Sequence, residues 1–259
     1  WERELSGLPY ETLQSCQVNE LMRYLLLGMM LLCAFAASAG MDPHVLKQTI
    51  EQRLGVQVYL VDETPMPGLY LLGTAQGLLY SDARGDYVLQ GSMLDLAHDM
   101  RNLTRLSQQQ QRRLALSQIG EARLWLKAPN ERYRVTLFTD LGCRRCHAVL
   151  DELPQLQERG VSVQLLPLAA PFVELAETQA LWCDPRLLRE LNFSDRLPES
   201  GCNAILAHHI GLSQWLGIKA SPSWVLPNGD LVRGYQSPEQ LLKILDHINA
   251  PANPSSSAS

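Results

Sequence analysis

A strand that runs straight into a helix across two closely spaced cysteines constrains this chain more than any other feature. Arg134-Val135-Thr136-Leu137-Phe138-Thr139-Asp140 is β-branched, aromatic and apolar, the pattern of a buried strand. Cys143-Arg144-Arg145-Cys146 follows, and Cys146-His147-Ala148-Val149-Leu150-Asp151-Glu152-Leu153 reads as a helix. The first sulfur is therefore expected at a helix N-terminus, where unpaired backbone N–H groups and the helix dipole favour a thiolate over a thiol. A thiolate beside a second thiol is equipped for thiol–disulfide exchange. The motif predicts an enzyme rather than an inert scaffold.

The N-terminal part predicts where that chemistry happens. Met22-Arg23 is a basic start, Tyr24 to Phe35 is almost entirely apolar, and Ala37-Ser38-Ala39 offers a cleavage site before Gly40. This is the pattern of a secretory signal peptide over 22–39, and the apolar run is shorter than the roughly 20 residues of a membrane span. Residues 1–21 begin with Trp and carry Glu2, Glu4, Glu11 and Glu20, so they read as upstream, non-native sequence ahead of a start at Met22. On this reading Cys16 and Cys33 are absent from the mature protein, and Cys143, Cys146, Cys183 and Cys202 remain. An even number of cysteines in an exported chain implies disulfides. Four cysteines allow three connectivities; the two of the CxxC form a natural pair, which leaves Cys183 with Cys202. A bridge enclosing those 18 residues is read as structural, worth about 3 kcal/mol by loop closure. The formal net charge of −5 argues against a nucleic-acid partner.

About 220 residues follow Gly40, and they divide into two modules. Residues 40–101 combine one helix from Asp42-Pro43 with short strands near Val56–Val61, Leu69–Leu72, Leu78–Ser81 and Tyr87–Gln90, an α+β pattern. A module of this size buries little core and gains stability by pairing with a copy of itself. Residues 102–120, rich in Gln and Arg, read as a polar linker helix whose charges form a solvated face. Residues 121–250 hold a β–α–β unit, with Pro154 expected to kink or end the helix after the CxxC. A helical region carrying Cys183 and Cys202 follows, then a hairpin around Asn228-Gly229 and a closing helix over 238–248. His208 and His209 point to different helix faces and are read as surface residues. The tail 251–259, rich in Pro, Ser and Ala, is expected to be disordered.

Both modules resemble the bacterial periplasmic protein-disulfide isomerases, the DsbC and DsbG family. The resemblance is carried by Phe138-Thr139-Asp140, Cys143-Arg-Arg-Cys146-His147, Leu181-Trp182-Cys183, Ser221-Pro222, Asn228-Gly229 and Gly234-Tyr235-Gln236. In the first module it is carried by Gly77-Leu78-Leu79-Tyr80 and Gln90-Gly91-Ser92-Met93. It implies an N-terminal dimerisation domain, a linker helix and a thioredoxin-like α/β domain with a helical insertion. It also implies a periplasmic homodimer with a substrate cleft, clients that are misfolded disulfide-containing exported proteins, and a membrane reductase of the DsbD type. Pro222 is implied to be cis, with Ser221 and Pro222 pairing an extended substrate. The family's isomerases carry Gly-Tyr between the cysteines and Thr before the cis-proline, where this chain has Arg144-Arg145 and Ser221. Leu137 stands where thioredoxin has a buried acid.

The chemistry follows. Cys143 is the expected nucleophile, forming a mixed disulfide, and Cys146 resolves it. Arg144 and Arg145, with His147 beside them, are expected to tune the site. Two permanent guanidinium charges depress the Cys143 pKa and make the disulfide comparatively oxidising. Cys143-x-x-Cys146-His147 also matches the c-type haem pattern, but the strand before it and the proline downstream favour thiol chemistry, so no cofactor and no metal are expected. Rival readings are a sulfenic-acid reductase or oxidase of the DsbG kind, and a holdase chaperone without redox chemistry.

Overall fold

The computed structural model describes residues 42–119, 124–141, 144–168, 175–184 and 201–250, with backbone alone at 144, 145 and 175–177. Residues 1–21, the segment 22–39 read above as a signal peptide, the tail 251–259 and Cys143 lie outside the described residues. The elements from Leu46 onward belong to one contact-linked unit.

Helix α1 (Pro43–Leu54) buries Leu46 and Ile50, four residues apart on one face. Strands β1 (Val58–Glu63), β2 (Leu69–Thr74), β3 (Gly77–Asp82) and β4 (Val88–Leu89) pair antiparallel in that order. The turn before β4 is built by Asp82, whose carboxylate accepts the N–H of Tyr87 at 2.8 Å and of Arg84 at 3.3 Å. β4 lies at the edge of the sheet, and Tyr87, Leu89, Leu96 and Met100 beside and beyond it are exposed. Strands β5 (Leu94–Asp95) and β6 (Arg101–Asn102) form a short ribbon.

Helix α2 (Leu103–Ser117) occupies the expected linker. Asn102 caps it by accepting the N–H of Arg105 at 2.9 Å. The expectation of a solvated charged face is corrected here. Arg105, Gln109 and Arg112 share one helix face by their spacing, and that face is docked. Both Arg105 nitrogens Nε and Nη2 bond the Asp230 carboxylate at 2.8 Å, Gln109 Nε2 joins at 2.8 Å, and Arg112 Nη1 donates to the Gly229 carbonyl at 3.0 Å. Arg112 is buried. Gly229 has φ 85 and lies so close to the Gln109 carbonyl that a Cβ would collide with backbone, so the turn accepts only glycine. At its start α2 is tied to the first module, where Leu103 N–H donates to the Met93 carbonyl and the Thr104 hydroxyl meets Tyr80. At its end Ala115 and Leu116 pack with Phe138, Leu166 and Val225.

Burial alone would raise the Asp230 pKa; the bonds from Arg105, Gln109 and Asn228 outweigh it and hold the carboxyl below its usual range. Asp230→Ala is expected to cost about 1–3 kcal/mol, the range for losing charge-assisted hydrogen bonds. Amide hydrogen exchange across α2 should rise in this variant; unchanged protection there would show that the latch is dispensable.

The second sheet has the order β11-β10-β8-β9-β7, from strands β7 (Leu124–Leu126), β8 (Tyr133–Thr139), β9 (Val161–Pro167), β10 (Ser223–Val225) and β11 (Leu231–Arg233). β8 and β9 are parallel, joined through helix α3 (Arg144–Glu158), while β7 and β10 pair antiparallel to their neighbours. Both faces are covered. Leu137, Leu165 and Trp224 belong to one apolar cluster, and the next residues Phe138, Leu166 and Val225 belong to the other. Period-2 alternation puts neighbours on opposite faces, so strands buried on both sides read as continuous apolar runs. Of the two outcomes expected at Pro154, a kink or an end, the end is overturned, since α3 continues to Glu158; Leu153 and Leu156 are buried on either side and pack into the core.

Helices α4 (Leu175–Trp182) and α5 (Cys202–Trp215) are cross-linked by a Cys183–Cys202 disulfide. Helix α6 (Pro238–Asn249) starts with Ser237 and Gln240 in a reciprocal capping box and buries Leu241 and Leu245. Among the described residues no helix is long and apolar enough to cross a membrane.

His209 on α5 corrects the surface reading of the histidine pair: it is 3% exposed. Burial, with a smaller contribution from the charge of His208, pushes its pKa down to about 4. The folded state therefore holds it neutral while the unfolded chain takes up a proton near pH 6.5. This stability is complete above pH 6.5 and is lost as pH falls toward about 4, by up to about 3 kcal/mol. Urea unfolding of wild type and His209→Leu from pH 7 to 4 checks this: the variant should lose a large part of that pH dependence, and identical slopes would contradict it.

Candidate active site

The register of the second sheet assembles the site. β10 pairs with β8 with Ser223 opposite Phe138 and Trp224 opposite Leu137. The residues before Ser223 therefore run alongside the C-terminal end of β8, where the chain turns into α3. That brings Ser221 and Pro222, far away in sequence, next to the cysteine motif. The Ser221–Pro222 peptide bond is cis. Pro222 lacks an N–H, and its carbonyl accepts the Gly234 N–H at 2.8 Å, which ties the bend to the end of β11.

Cys146 sits in the first turn of α3, its side chain fully buried with a free thiol. Its Sγ is 3.1 Å from Ser221 Oγ, and that oxygen also accepts the Asp140 N–H at 2.9 Å. A serine hydroxyl has one proton and two lone pairs. With Asp140 N–H on one lone pair, the hydroxyl accepts from Cys146 when sulfur is a thiol and donates to it when sulfur is a thiolate. Ser221 thus accommodates both protonation states without moving. Leu137, completely buried, stands where a proton-shuttling acid would otherwise lie, so the sequence of β8 supplies apolar packing and no ionisable group there.

His147 is exposed in the second half of the first turn of α3. Arg144 and Arg145 begin that helix. Cys143 and both arginine side chains lie outside the described residues. The α3 helix is held from its outer side by Tyr235, whose hydroxyl donates to the Glu152 carboxylate at 2.8 Å. Cys183 and Cys202 are joined to each other, with a Cα–Cα distance of 6.0 Å. Among the described residues no three His, Cys, Asp or Glu side chains are grouped to hold a metal ion. Sequence reasoning missed the second partner of the Ser221 hydroxyl, the Asp140 N–H; a backbone-to-side-chain hydrogen bond between residues 81 positions apart has no local signal.

A mixed sheet leading into a helix with a buried cysteine in its first turn, which meets the serine of a cis Ser–Pro bond, defines a thioredoxin-like thiol site. Residues 121–249 match the thioredoxin-like domain family, and residues 36–105 match the disulfide bond isomerase protein N-terminal domain. The thiol:disulfide interchange protein DsbC of Salmonella typhimurium is 29% identical over 84% of this chain and 92% of its own length. DsbC of Escherichia coli is 27% identical over 83% of this chain and 92% of its own. A crystal structure of Proteus mirabilis ScsC in a compact conformation has a TM-score of 0.42 and 19% identity, covering 57% of this chain and 86% of that one. The chain thus carries a DsbC-type N-terminal domain and a thioredoxin-like domain, and over most of its length it is similar to thiol:disulfide interchange proteins DsbC.

Proposed function

We propose that this protein is a thiol:disulfide interchange enzyme that isomerises or reduces non-native disulfides in exported proteins. The observation that carries it is the buried Cys146 thiol, held in the first turn of α3 against Ser221 and beside a cis-proline. Cys143, the residue before α3, is the nucleophile. Its thiolate attacks a substrate disulfide and forms a mixed disulfide, releasing one substrate thiolate. That thiolate either attacks another substrate disulfide, and the thiolate freed there attacks the substrate sulfur of the mixed disulfide, which is isomerisation and releases Cys143, or it stays free while Cys146 attacks the Cys143 sulfur and displaces the second substrate thiolate. The second route releases reduced substrate and an oxidised Cys143–Cys146 pair. Recycling the pair needs two electrons, for which we propose a membrane reductase of the DsbD type.

Arg144 and Arg145 tune the Cys143 thiolate, and Ser221 and Pro222 present backbone for an extended substrate strand. The 22–39 segment supports export to the periplasm, with residues 40–101 acting as a dimerisation domain, 102–120 as the linker and 121–250 as the catalytic domain. The exposed Tyr87, Leu89, Leu96 and Met100 beside the open edge of β4 favour pairing with a second copy. Replacing Cys143 and Cys146 together by Ala tests the class of function. The variant should lose all reactivation of a scrambled disulfide substrate; a variant that still recovers it would act as a holdase.

A further inference from the structure

The cavity between α2, the first module and the end of α5 holds about 250 Å³. It is lined by Arg112, Lys219 and Arg233, together with Gln108, Gln111 and Tyr59, and no Asp or Glu lies among its described lining residues. Arg112 is only 7% exposed, its Nε has no hydrogen-bond partner, and neither does Gln111 Nε2. The nearby carboxylate, Asp230, does not satisfy them. Its two oxygens already accept from Arg105 twice, from Gln109 and from Asn228, each at 2.8 Å, and a carboxylate offers about four acceptor positions. Burial first, and then the charge of Arg233, depress the Arg112 pKa. Two guanidinium groups thus line one cavity, one of them buried, while Asp230, whose charge attracts Arg112 and only partly offsets the depression, has its acceptor positions already filled.

Buried donors left without acceptors, and like charges left without a counter-charge, are costly. A bound anion removes both costs, and guanidinium groups match tetrahedral oxyanions through forked hydrogen bonds. We propose that this cavity is a binding site for a phosphate-type oxyanion, free or carried on a small organic molecule, held by Arg112, Arg233 and Lys219. The site lies against the docked linker helix, so occupancy would fasten α2 to β11 and to the segment after α5. It stands apart from the cysteine chemistry and does not depend on it.

Isothermal titration of the full chain with inorganic phosphate, at constant ionic strength with chloride as the balancing ion, tests the proposal. Saturable binding is expected, with a rise in Tm. Arg233→Gln and Lys219→Gln, both at exposed positions, should each weaken phosphate about tenfold, the loss expected for one charge-assisted hydrogen bond, and the double variant should abolish it. Arg112→Gln should also lose binding; because its removal can unseat α2, the two exposed variants decide. Glycerol phosphate in a second arm distinguishes the source: tighter binding than phosphate identifies an organic phosphate, and equal binding the free ion. No saturable heat, or equal affinity in the double variant, would overturn the proposal.

Discussion

Replacing Cys143 by alanine leaves the protein unable to rearrange a scrambled disulfide substrate, at a rate no higher than that of the buffer thiols alone. Replacing Cys146 by alanine has a different result: isomerisation persists while net reduction is lost. The asymmetry follows from burial. Cys146 is fully inaccessible and packed against Ser221, so a protein disulfide cannot reach its sulfur in the folded state. It can act only on a mixed disulfide already formed at the neighbouring cysteine. Isomerisation needs one attack and one re-attack by substrate thiol, so Cys143 suffices; reduction needs an internal second thiol. Recovery of activity in scrambled substrate, measured beside consumption of reductant, separates the two steps. Equal loss in both single variants would contradict the division of roles.

The second large effect concerns the Cys183–Cys202 bridge. Its separation in sequence is 19 residues, and closing a loop of that size restricts the unfolded chain by about 3 kcal/mol. The bridge also joins the end of α4 to the first residue of α5, and Cys202 is buried in the main core beside Leu206 and Trp182. Cys183→Ala with Cys202→Ala should therefore lower the urea-unfolding free energy of the oxidised protein by about 3 kcal/mol. Wild type measured in strong reductant should approach the variant. A difference below about 1 kcal/mol would mean that unfolded-chain restriction is offset elsewhere.

The two modules and the strand–helix placement of the cysteine motif could be read from local pattern. From Val135 to Thr139 β8 is buried at every position because both faces are covered, and its run of Val135, Leu137 and Phe138 between threonines is conspicuous. The hairpin turn at Asn228-Gly229 and the closing helix from Pro238 were likewise readable from local pattern. β7 was not legible: three residues, Leu124–Leu126, make too short a run to separate from a loop, and the strand exists because it pairs with β9. The docking of α2 was missed for a different reason. Arg105, Gln109 and Arg112 have the composition of a solvated face, and their partners lie more than 115 residues away in a turn. Nothing local distinguishes a charged face that meets water from one that meets Asp230. His209 was misread for the same reason: burial of one of two adjacent histidines depends on what α5 packs against, and not on the pair itself. The partnership of Cys146 with Ser221 was visible only as a motif resemblance, since the register of β10 on β8 is what makes it a contact.

The central claim is that Cys143 forms the covalent link to substrate. It is tested most directly by mixing the Cys146→Ala protein with a disulfide-bonded substrate, quenching with acid, and mapping the adduct by mass spectrometry without reductant. A mixed disulfide joining Cys143 to substrate, released by dithiothreitol, is the predicted result. Absence of any adduct at Cys143, in protein that still reactivates scrambled substrate, would contradict the account.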